Sequence, residues 1–240
     1  MIGNVTALIF CGGKATRLSS ILQGKPKALI EVSGKPFIIR LIKFLSSSGI
    51  KNICLSLSDS NEPIVQVVKS EFGNEINLIV SYDSGCIENA GALNTAINFC
   101  RTDLILAING DTFLDIDISK FISAHVKSKH IIMIAVSNRA DQPLAHNISL
   151  NKNSITSYST ETKQGKNYTH CNTGWAIIER KRYLQHGASN LCVGKLEQDV
   201  YPRMADEGFL GAYDCQQSYV LDIGTPFRYM SADNSETLPW

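Results

Sequence analysis

The residues best suited to chemistry stand in a loop near the N-terminus, directly after an apolar run. The run VTALIF (5–10) reads as a buried strand, and the loop that follows contains Cys11, Gly12, Gly13, Lys14, Ala15 and Thr16. Glycines let backbone N–H groups approach an anion, and a following helix adds its positive end. Arg17 can bind two phosphate oxygens at once, and Lys27, in Pro-Lys-Ala, is a mobile point charge. This loop is therefore predicted to bind phosphate, although it lacks both the Walker A ending and the GxGxxG spacing.

Two aspartates are candidates for a metal site. Asp111 follows the apolar run of INGDTFLDID, and Asp222 ends the run of YVLDIGTP. A carboxylate beside a buried strand is costly to leave without a cation. Two separated carboxylates combined with phosphate oxygens and water are the usual ligands of Mg²⁺. We therefore predict that both residues bind Mg²⁺, whereas Asp115 and Asp117 are expected to cap the next helix.

Composition excludes several other classes of protein. The chain has 240 residues and a formal net charge of +1, so no global charge attracts nucleic acid or an anionic membrane. Its five histidines show no metal-ligand spacing, and neither GxSxG nor HExxH occurs. The seven cysteines form no CxxC pair and are expected to be reduced, mostly buried thiols. No apolar run reaches the roughly 18 residues of a membrane span, so we expect a soluble, cytoplasmic protein.

The elements that must position these residues alternate between strand and helix over the first 138 residues. Strands are predicted at 5–10, 51–58, 76–82, 103–110 and 131–137, and helices at 35–50, 61–73, 90–100 and 117–129. This alternation predicts an α/β fold with a Rossmann-like, mostly parallel sheet and helices on both faces. Ligands of such sheets bind at the carboxyl ends of the strands, where the loops after residues 10 and 110 lie.

From about residue 140 the pattern changes. The stretch 146–180 is rich in Asn, Ser and Thr and reads as short strands, which predicts a small antiparallel addition. A helix at 195–208, a strand, a Gly-Thr-Pro turn and a short helix complete the chain. We predict a single domain over 1–240, with a nucleotide-binding half at 1–138 and a sugar-binding half at 139–240.

Several of these blocks together resemble a known family. CGGKATRL with the later KPKALIEVSGKPFI resembles the GGxGTRL and PKP signature of the sugar-1-phosphate nucleotidylyltransferases. INGDTFLDID and LDIGTPFRY match two further blocks of that family, and NTGWAII and LEQDVYPRMADEG resemble its sugar-side strand and following helix. The resemblance covers roughly residues 5 to 235 and implies a fold of the GT-A type. Within the family, the sequence is most similar to the D-glycero-α-D-manno-heptose 1-phosphate guanylyltransferases.

The resemblance implies an activity, a cofactor and a set of site residues. A nucleotidyl group would pass from an NTP, with GTP favoured, to a sugar 1-phosphate, with D-glycero-α-D-manno-heptose 1-phosphate favoured, for surface-polysaccharide synthesis. Arg17 and Lys27 would act on the phosphates, Asp111 and Asp222 would hold Mg²⁺, and loop 11–16 with Gly91 would bind the nucleotide. The sugar pocket would contain Asn109, Gly110, Asn172, Gly174, Glu197 and Lys163. No nucleic acid or membrane partner is implied, and homodimers are common in this family.

The sequence departs from the family pattern at two places. Ala15 stands where the family has glycine, and if that position needs a positive φ, alanine costs about 1 kcal/mol. Glu88 and Asn89 replace a family Gly-Thr pair, and a carboxylate or amide there is able to accept hydrogen bonds from the N1–H and N2–H of guanine. We predict that Glu88 or Asn89 reads the base; the alternative is a displaced loop tip with Glu88 in solvent.

Three other functions remain compatible with the sequence. A CTP- or UTP-dependent hexose-1-phosphate nucleotidylyltransferase would use the same residues with other substrates. A non-catalytic homologue that binds nucleotide or sugar would explain Ala15 and Glu88 but not the intact charged residues. A glycosyltransferase would also use carboxylates and a metal, and only the nucleotidylyltransferases would release pyrophosphate.

Overall fold

The computed structural model describes residues 2–13, 15–58, 62–83, 88–138, 147–159, 168–187, 190–216 and 218–233. The strands of this part are β1 Val5–Phe10, β2 Glu31–Val32, β3 Lys35–Pro36, β4 Asn52–Leu57, β5 Asn77–Tyr82, β6 Leu104–Asn109, β7 Thr112–Leu114, β8 Ile132–Ser137, β9 Ile148–Asn151, β10 Ser154–Tyr158, β11 Cys171–Glu179, β12 Leu210–Asp214 and β13 Val220–Asp222. The helices are α1 Ser19–Leu22, α2 Phe37–Ser47, α3 Glu62–Phe72, α4 Glu88–Ala96, α5 Ile118–Lys127, α6 Arg180–Gln185, α7 Tyr201–Asp206 and α8 Pro226–Asp233.

A nine-stranded sheet in the order β5-β4-β1-β6-β11-β8-β12-β10-β9 forms the centre of the molecule. Strands β5, β4, β1 and β6 are parallel, and β8 and β12 are parallel to each other. Strand β11 lies between β6 and β8 and is antiparallel to both. The predicted mostly parallel α/β sheet is confirmed, and strands from both predicted halves of the chain belong to it.

Helices cover both faces of the sheet, and successive residues of β1 are buried on alternate faces. Its residues Val5, Ala7 and Ile9 belong to one hydrophobic cluster, and Leu8 belongs to the other. Helices α2, α3 and α5 contribute to the first cluster, and α4 and α7 contribute to the second. Consecutive residues of a strand point to opposite faces, so the continuous apolar run at 5–10 is what a doubly covered strand requires.

The second half of the chain differs from the prediction in its arrangement. The sequence predicts β11 as part of a small antiparallel addition; the strand is antiparallel to both its neighbours, but its apolar part, Trp175–Ile178, lies buried in the middle of the main sheet. At the edge of the main sheet, β9 and β10 form an antiparallel hairpin. The helix predicted at 195–208 begins with a π-helical turn, Leu196–Val200, before α7. Pro202 is near the start of α7, where its missing N–H costs least.

Two further observations concern the described ranges as a whole. No helix there is long and apolar enough to cross a bilayer. The six cysteines within those ranges form no disulfide, and five of them are buried. This agrees with the expectation of reduced thiols for those six.

Candidate active site

The predicted phosphate loop leaves the carboxyl end of β1 and turns sharply at Ala15. The amide of Cys11 donates to the Ser56 carbonyl at 2.8 Å, which extends the pairing of β1 with β4 by one residue. Ala15 has φ 47° and ψ 37°, in the left-handed region, and its carbonyl accepts from the amide of Leu18 at 2.9 Å. A short 3-10 turn, Thr16–Leu18, follows. Ala15 therefore adopts the positive φ at which alanine is expected to be costlier than glycine.

Gly12 lets the loop pass very close to neighbouring groups. A Cβ on Gly12 would lie 2.9 Å from an Asp83 carboxylate oxygen and 3.1 Å from the Ser58 amide nitrogen. Asp83 follows β5, and its other carboxylate oxygen accepts from the Ser56 hydroxyl at 2.9 Å. Gly110 is equally confined, since a Cβ there would lie 2.5 Å from the Phe10 carbonyl. Gly110, expected in the sugar pocket, thus packs against the end of β1.

An open cleft of about 410 Å³ lies beside this loop. Gly12, Gly13 and Ala15 form one wall, and Pro26, Lys27 and Ser58 are among the residues of the others. Arg17 and Thr16 lie at the surface beside it. Within the described ranges the Arg17 guanidinium makes no hydrogen bond or ion pair, so it is available to an anionic ligand. Lys14 lies outside the described residues.

The two predicted metal ligands lie side by side. Strand β7, directly after Asp111, pairs with β13 so that Asp222 stands opposite Thr112, and the Ile223 amide donates to the Asp111 carbonyl at 3.0 Å. The Lys27 ammonium forms an ion pair with the Asp111 carboxylate. A Cβ on Gly224 would lie 2.7 Å from the Asp222 carboxylate, 3.4 Å from that of Asp111 and 3.6 Å from Lys27 Nζ. All three charged groups therefore converge on one point.

Arg228 completes this cluster. Its Nη1 lies 2.5 Å from Asp222 Oδ2, and the Gly224 amide donates to Asp222 Oδ1 at 2.5 Å. Sequence reasoning missed Arg228, although it stands only six residues after Asp222 in the quoted block LDIGTPFRY. In the fold that spacing places the guanidinium of α8 against the carboxylate that ends β13.

The electrostatics of the cluster fit a bound cation. Burial, and then the negative charge of Asp111, raise the pKa of Asp222, while the Gly224 amide, Arg228 and Lys27 oppose the rise. Burial, followed by Asp111 and Asp83, raises the pKa of the Cys11 thiol, so Cys11 stays protonated and is not a nucleophile. Asp111 disfavours the charge of Asp222, and a divalent ion bound beside both carboxylates would offset that repulsion. No group of three or more such ligands occurs in the described ranges, so phosphate oxygens and water would complete the shell.

The predicted sugar-side residues of β11 stand next to the carboxyl end of β6. A register shift against β8 lies between Asn172 and Ala176, and Gly174 within it has φ +81°. The Gly174 amide donates to Asn172 Oδ1 at 2.8 Å, and a Cβ on Gly174 would lie 2.7 Å from Asn109 Nδ2. Asn109 is the register partner of Phe10. The structure thus brings Asn109, Asn172 and Gly174 together at the edge that carries the phosphate loop.

Glu197 and a tyrosine complete this side. Asn172 Nδ2 donates to the Tyr158 hydroxyl at 3.2 Å. Burial raises the pKa of Tyr158, and the negative charge of Glu197 raises it further. Tyr158 ends β10 in the polar stretch, where no motif pointed to it. Lys163 lies outside the described residues.

Glu88 and Asn89, one of which is predicted to read the base, differ in their surroundings. Glu88, with φ 71°, begins α4; its side chain is 48% exposed and lies 3.9 Å from Lys195 Nζ. Asn89 contacts Glu197, and Gly91 is buried within α4. Asp83, which sequence reasoning missed, is the carboxylate that directly adjoins the phosphate loop.

These features define a class of protein: a nucleotide-binding α/β fold with a phosphate loop and paired carboxylates at one sheet edge. Residues 7–168, well over half of the chain, match the family of the MobA-like NTP transferase domain. The chain therefore belongs to this family. The resemblance drawn from the sequence motifs is confirmed.

Individual relatives agree with this assignment. The D-glycero-alpha-D-manno-heptose 1-phosphate guanylyltransferase of Campylobacter jejuni is 36% identical over 114 residues, which are 48% of this chain and 51% of that protein. The mannose-1-phosphate guanyltransferase of Yarrowia lipolytica is 23% identical over 229 residues, 93% of this chain and 62% of that protein. The chain thus spans between half and two thirds of the length of these two relatives.

Solved structures share the fold. HddC from Yersinia pseudotuberculosis complexed with GMP-PN superposes with a TM-score of 0.77 at 25% identity, covering 95% of this chain and 97% of that protein. The inositol-1-phosphate CTP transferase from T. maritima gives 0.78 at 19% identity over 97% of both chains, a likeness of fold alone.

Proposed function

We propose that this protein is a sugar-1-phosphate nucleotidylyltransferase. It transfers a nucleotidyl group from GTP to D-glycero-α-D-manno-heptose 1-phosphate, releases pyrophosphate, and uses Mg²⁺. The sugar phosphate attacks the α-phosphorus of the nucleotide in line with the leaving pyrophosphate. The cytoplasm, a homodimer and a place in surface-polysaccharide synthesis remain predictions.

One observation carries the proposal: Lys27, Asp111 and Asp222 converge around Gly224, beside the phosphate loop. In phosphoryl-type transfer the protein mainly positions phosphates and neutralises their charge. A lysine and two carboxylates at one point, with a glycine loop next to them, supply those two functions. A purely structural domain would have no need for this combination.

Individual residues receive roles from their positions. Lys27 lies on the wall of the cleft and also contacts Asp111, so its ammonium is placed to bridge the α-phosphate and the sugar phosphate. Arg17, exposed next to the loop, is placed to hold the leaving pyrophosphate. Asp111 and Asp222 would hold Mg²⁺, which neutralises phosphate charge when bound. The sugar hydroxyls would bind the amide, hydroxyl and carboxylate of Asn172, Tyr158 and Glu197.

The choice of substrates rests on the relatives. The Campylobacter protein is named for heptose 1-phosphate and guanylyl transfer, and the Yersinia structure contains GMP-PN. A second candidate is a hexose 1-phosphate, because the Yarrowia mannose-1-phosphate guanyltransferase matches 93% of this chain. CTP- or UTP-dependent transfer is kept as an alternative for the nucleotide.

The test is pyrophosphate release with Mg²⁺, measured for four NTPs against heptose, mannose and glucose 1-phosphates. We expect release with GTP and the heptose 1-phosphate. The Asp222→Asn variant is the control for contaminating activity, and it should release none. Release with another pair would keep the reaction and change the substrate. Nucleotide binding without release from any pair would support a non-catalytic homologue.

A further inference from the structure

Asn89, the second residue of α4, connects that helix to the segment before α7. Its Nδ2 donates to both carboxylate oxygens of Glu197, at 3.0 and 3.3 Å, and its Oδ1 accepts from the Leu196 amide at 2.8 Å. The adjacent Ala90 amide donates to the Gly194 carbonyl at 2.9 Å. Both polar atoms of the Asn89 side chain are therefore engaged with residues far away in sequence.

The segment that Asn89 contacts is held in a defined path. The Lys195 amide donates to Asp199 Oδ2 at 2.7 Å, which closes the start of the π-helical turn. A Cβ on Gly194 would lie 2.8 Å from the same Asp199 oxygen, so the turn is tight. Leu196 and Val200 of this turn are buried in the hydrophobic cluster that includes α4. The carboxylate of Glu197, between them in sequence, reaches Asn89 instead.

Glu197 lies in the π-helical turn that leads directly to Tyr201, whose ring packs against that of Tyr158. Its negative charge acts on two buried hydroxyls, those of Tyr158 and Tyr201, whose rings lie 5.5 Å apart. Tyr158 in turn accepts from Asn172. A carboxylate on a side chain with three rotatable bonds needs a partner to fix its direction, and Asn89 supplies that partner.

We propose that Asn89 is a positioning residue for the sugar 1-phosphate, and that it acts by orienting the Glu197 carboxylate. This inference rests on the proposed function, since it assigns the pocket around Glu197 to the sugar. It differs from the expectation that Asn89 reads the base. For that role the carboxamide would have to break its contacts with Glu197 and Leu196.

The decisive variant is Asn89→Asp. It keeps the acceptor for the Leu196 amide but replaces the donor to Glu197 with a like charge. We expect the KM for the sugar 1-phosphate to rise about tenfold, because a hydrogen bond to a charged group is lost, while the KM for the NTP changes less than about twofold. Hydrogen exchange of the Leu196 amide should stay slow, which separates orientation of Glu197 from local unfolding. Asn98→Asp, an added charge at an exposed position just after α4, is the matched control and should leave both KM values unchanged.

The Glu197→Gln variant tests whether Asn89→Asp acts through the Glu197 carboxylate. In Glu197→Gln, the side-chain amide of the glutamine can donate to the aspartate introduced at position 89, so adding Asn89→Asp should raise the sugar KM less than about twofold. An equal effect in both backgrounds, or an NTP KM that rises as much as the sugar KM, would overturn the proposal. If the wild type transfers no nucleotide, the proposed function fails, and sugar 1-phosphate binding is measured by ligand-observed NMR instead. Absent binding, or binding that Asn89→Asp leaves unchanged, would then overturn this inference as well.

Discussion

At the scale of single residues, the Cβ of Ala15 strains the backbone of the predicted phosphate loop. Its φ of 47° is a conformation that glycine adopts without cost and that strains alanine through a contact of its Cβ. The loop keeps this turn because the Leu18 amide and the following 3-10 turn fix it. Alanine in place of the family glycine therefore leaves this position strained.

We expect Ala15→Gly to raise the free energy of unfolding by up to about 1 kcal/mol, since strain is removed from the folded loop, and to leave the KM for the NTP within about twofold. Lys152→Gly is the control, because Lys152 has a similar φ of 54° in the turn between β9 and β10, away from the cleft. It should change thermal stability only. An NTP KM that rises in Ala15→Gly would mean that the loop needs the stiffness of alanine.

Two carboxylates near the predicted phosphate loop and the start of α4 are candidates for reading the base of the nucleotide. Asp83 adjoins Gly12 and is held by the Ser56 hydroxyl, whereas Glu88 is half exposed near Lys195. We expect Asp83→Asn to weaken GTP more than UTP by about tenfold, because an amide donor opposes the donors of guanine. Glu88→Gln should change the two nucleotides equally. The opposite result, measured as kcat/KM for both NTPs, would assign base reading to Glu88.

At the scale of elements, the local pattern predicted most strands and helices of the first half, but not the neighbours of β11. The runs at 5–10 and 131–137 read as strands because their apolar residues are continuous, and the helix at 117–129 follows from its spacing and its cap, Asp117. The partners of β11 depend on contacts with β6 and β8 that are distant in sequence, and no local pattern encodes them.

The candidate site likewise contains some residues that the local sequence indicates and others that only the fold brings together. Lys27, Asp111 and Asp222 were found because each has a functional residue type at a strand or loop end. The residues that were missed owe their importance to the fold, and they are Arg228, Tyr158 and Asp83. The turn after β13 sets α8 beside Asp222, so that Arg228 reaches the carboxylate, and the pairing of β7 with β13 brings this ion pair next to Asp111.

Position 224, in the turn between β13 and α8, is predicted to be intolerant of any side chain larger than that of glycine. Gly224→Ala should lower kcat/KM by roughly a hundredfold, because its Cβ would displace the Asp222 carboxylate that we assign to Mg²⁺. Weaker binding of Mn²⁺ with nucleotide, measured by electron paramagnetic resonance, should accompany this loss. Gly3→Ala, where a Cβ meets nothing within 4 Å, is the control and should leave both values unchanged. Full activity in Gly224→Ala would place the metal elsewhere.

At the scale of the whole molecule, charge is balanced locally rather than globally. The formal net charge is +1, yet the site gathers two carboxylates within reach of two cations. Lys27 pairs with Asp111 and Arg228 with Asp222, so neither carboxylate of the unliganded fold lacks a cation. Each carboxylate of the candidate site is thus balanced by an adjacent cation, which limits the cost of burying its charge.

Stability of the whole fold should depend on pH through His125. This residue of α5 is 3% exposed, and burial, then His130 and Arg182, lower its pKa from 6.5 to about 4. Between these two pH values the unfolded chain binds a proton that the folded chain does not, so stability falls as pH falls. The loss attributable to His125 between about pH 7.5 and about pH 5 is about 2 kcal/mol.

Urea unfolding of the wild type and of His125→Phe at both pH values measures this contribution. We expect the drop in unfolding free energy to be about 2 kcal/mol smaller in the variant, since phenylalanine fills the site and does not titrate. His130, whose pKa is also lowered by burial and by Arg182, contributes with the same sign in both proteins and cancels. The raised pKa of Asp222 acts in the opposite direction and cancels likewise. Equal drops in the two proteins would show that His125 takes up its proton in the folded state at an ordinary pH.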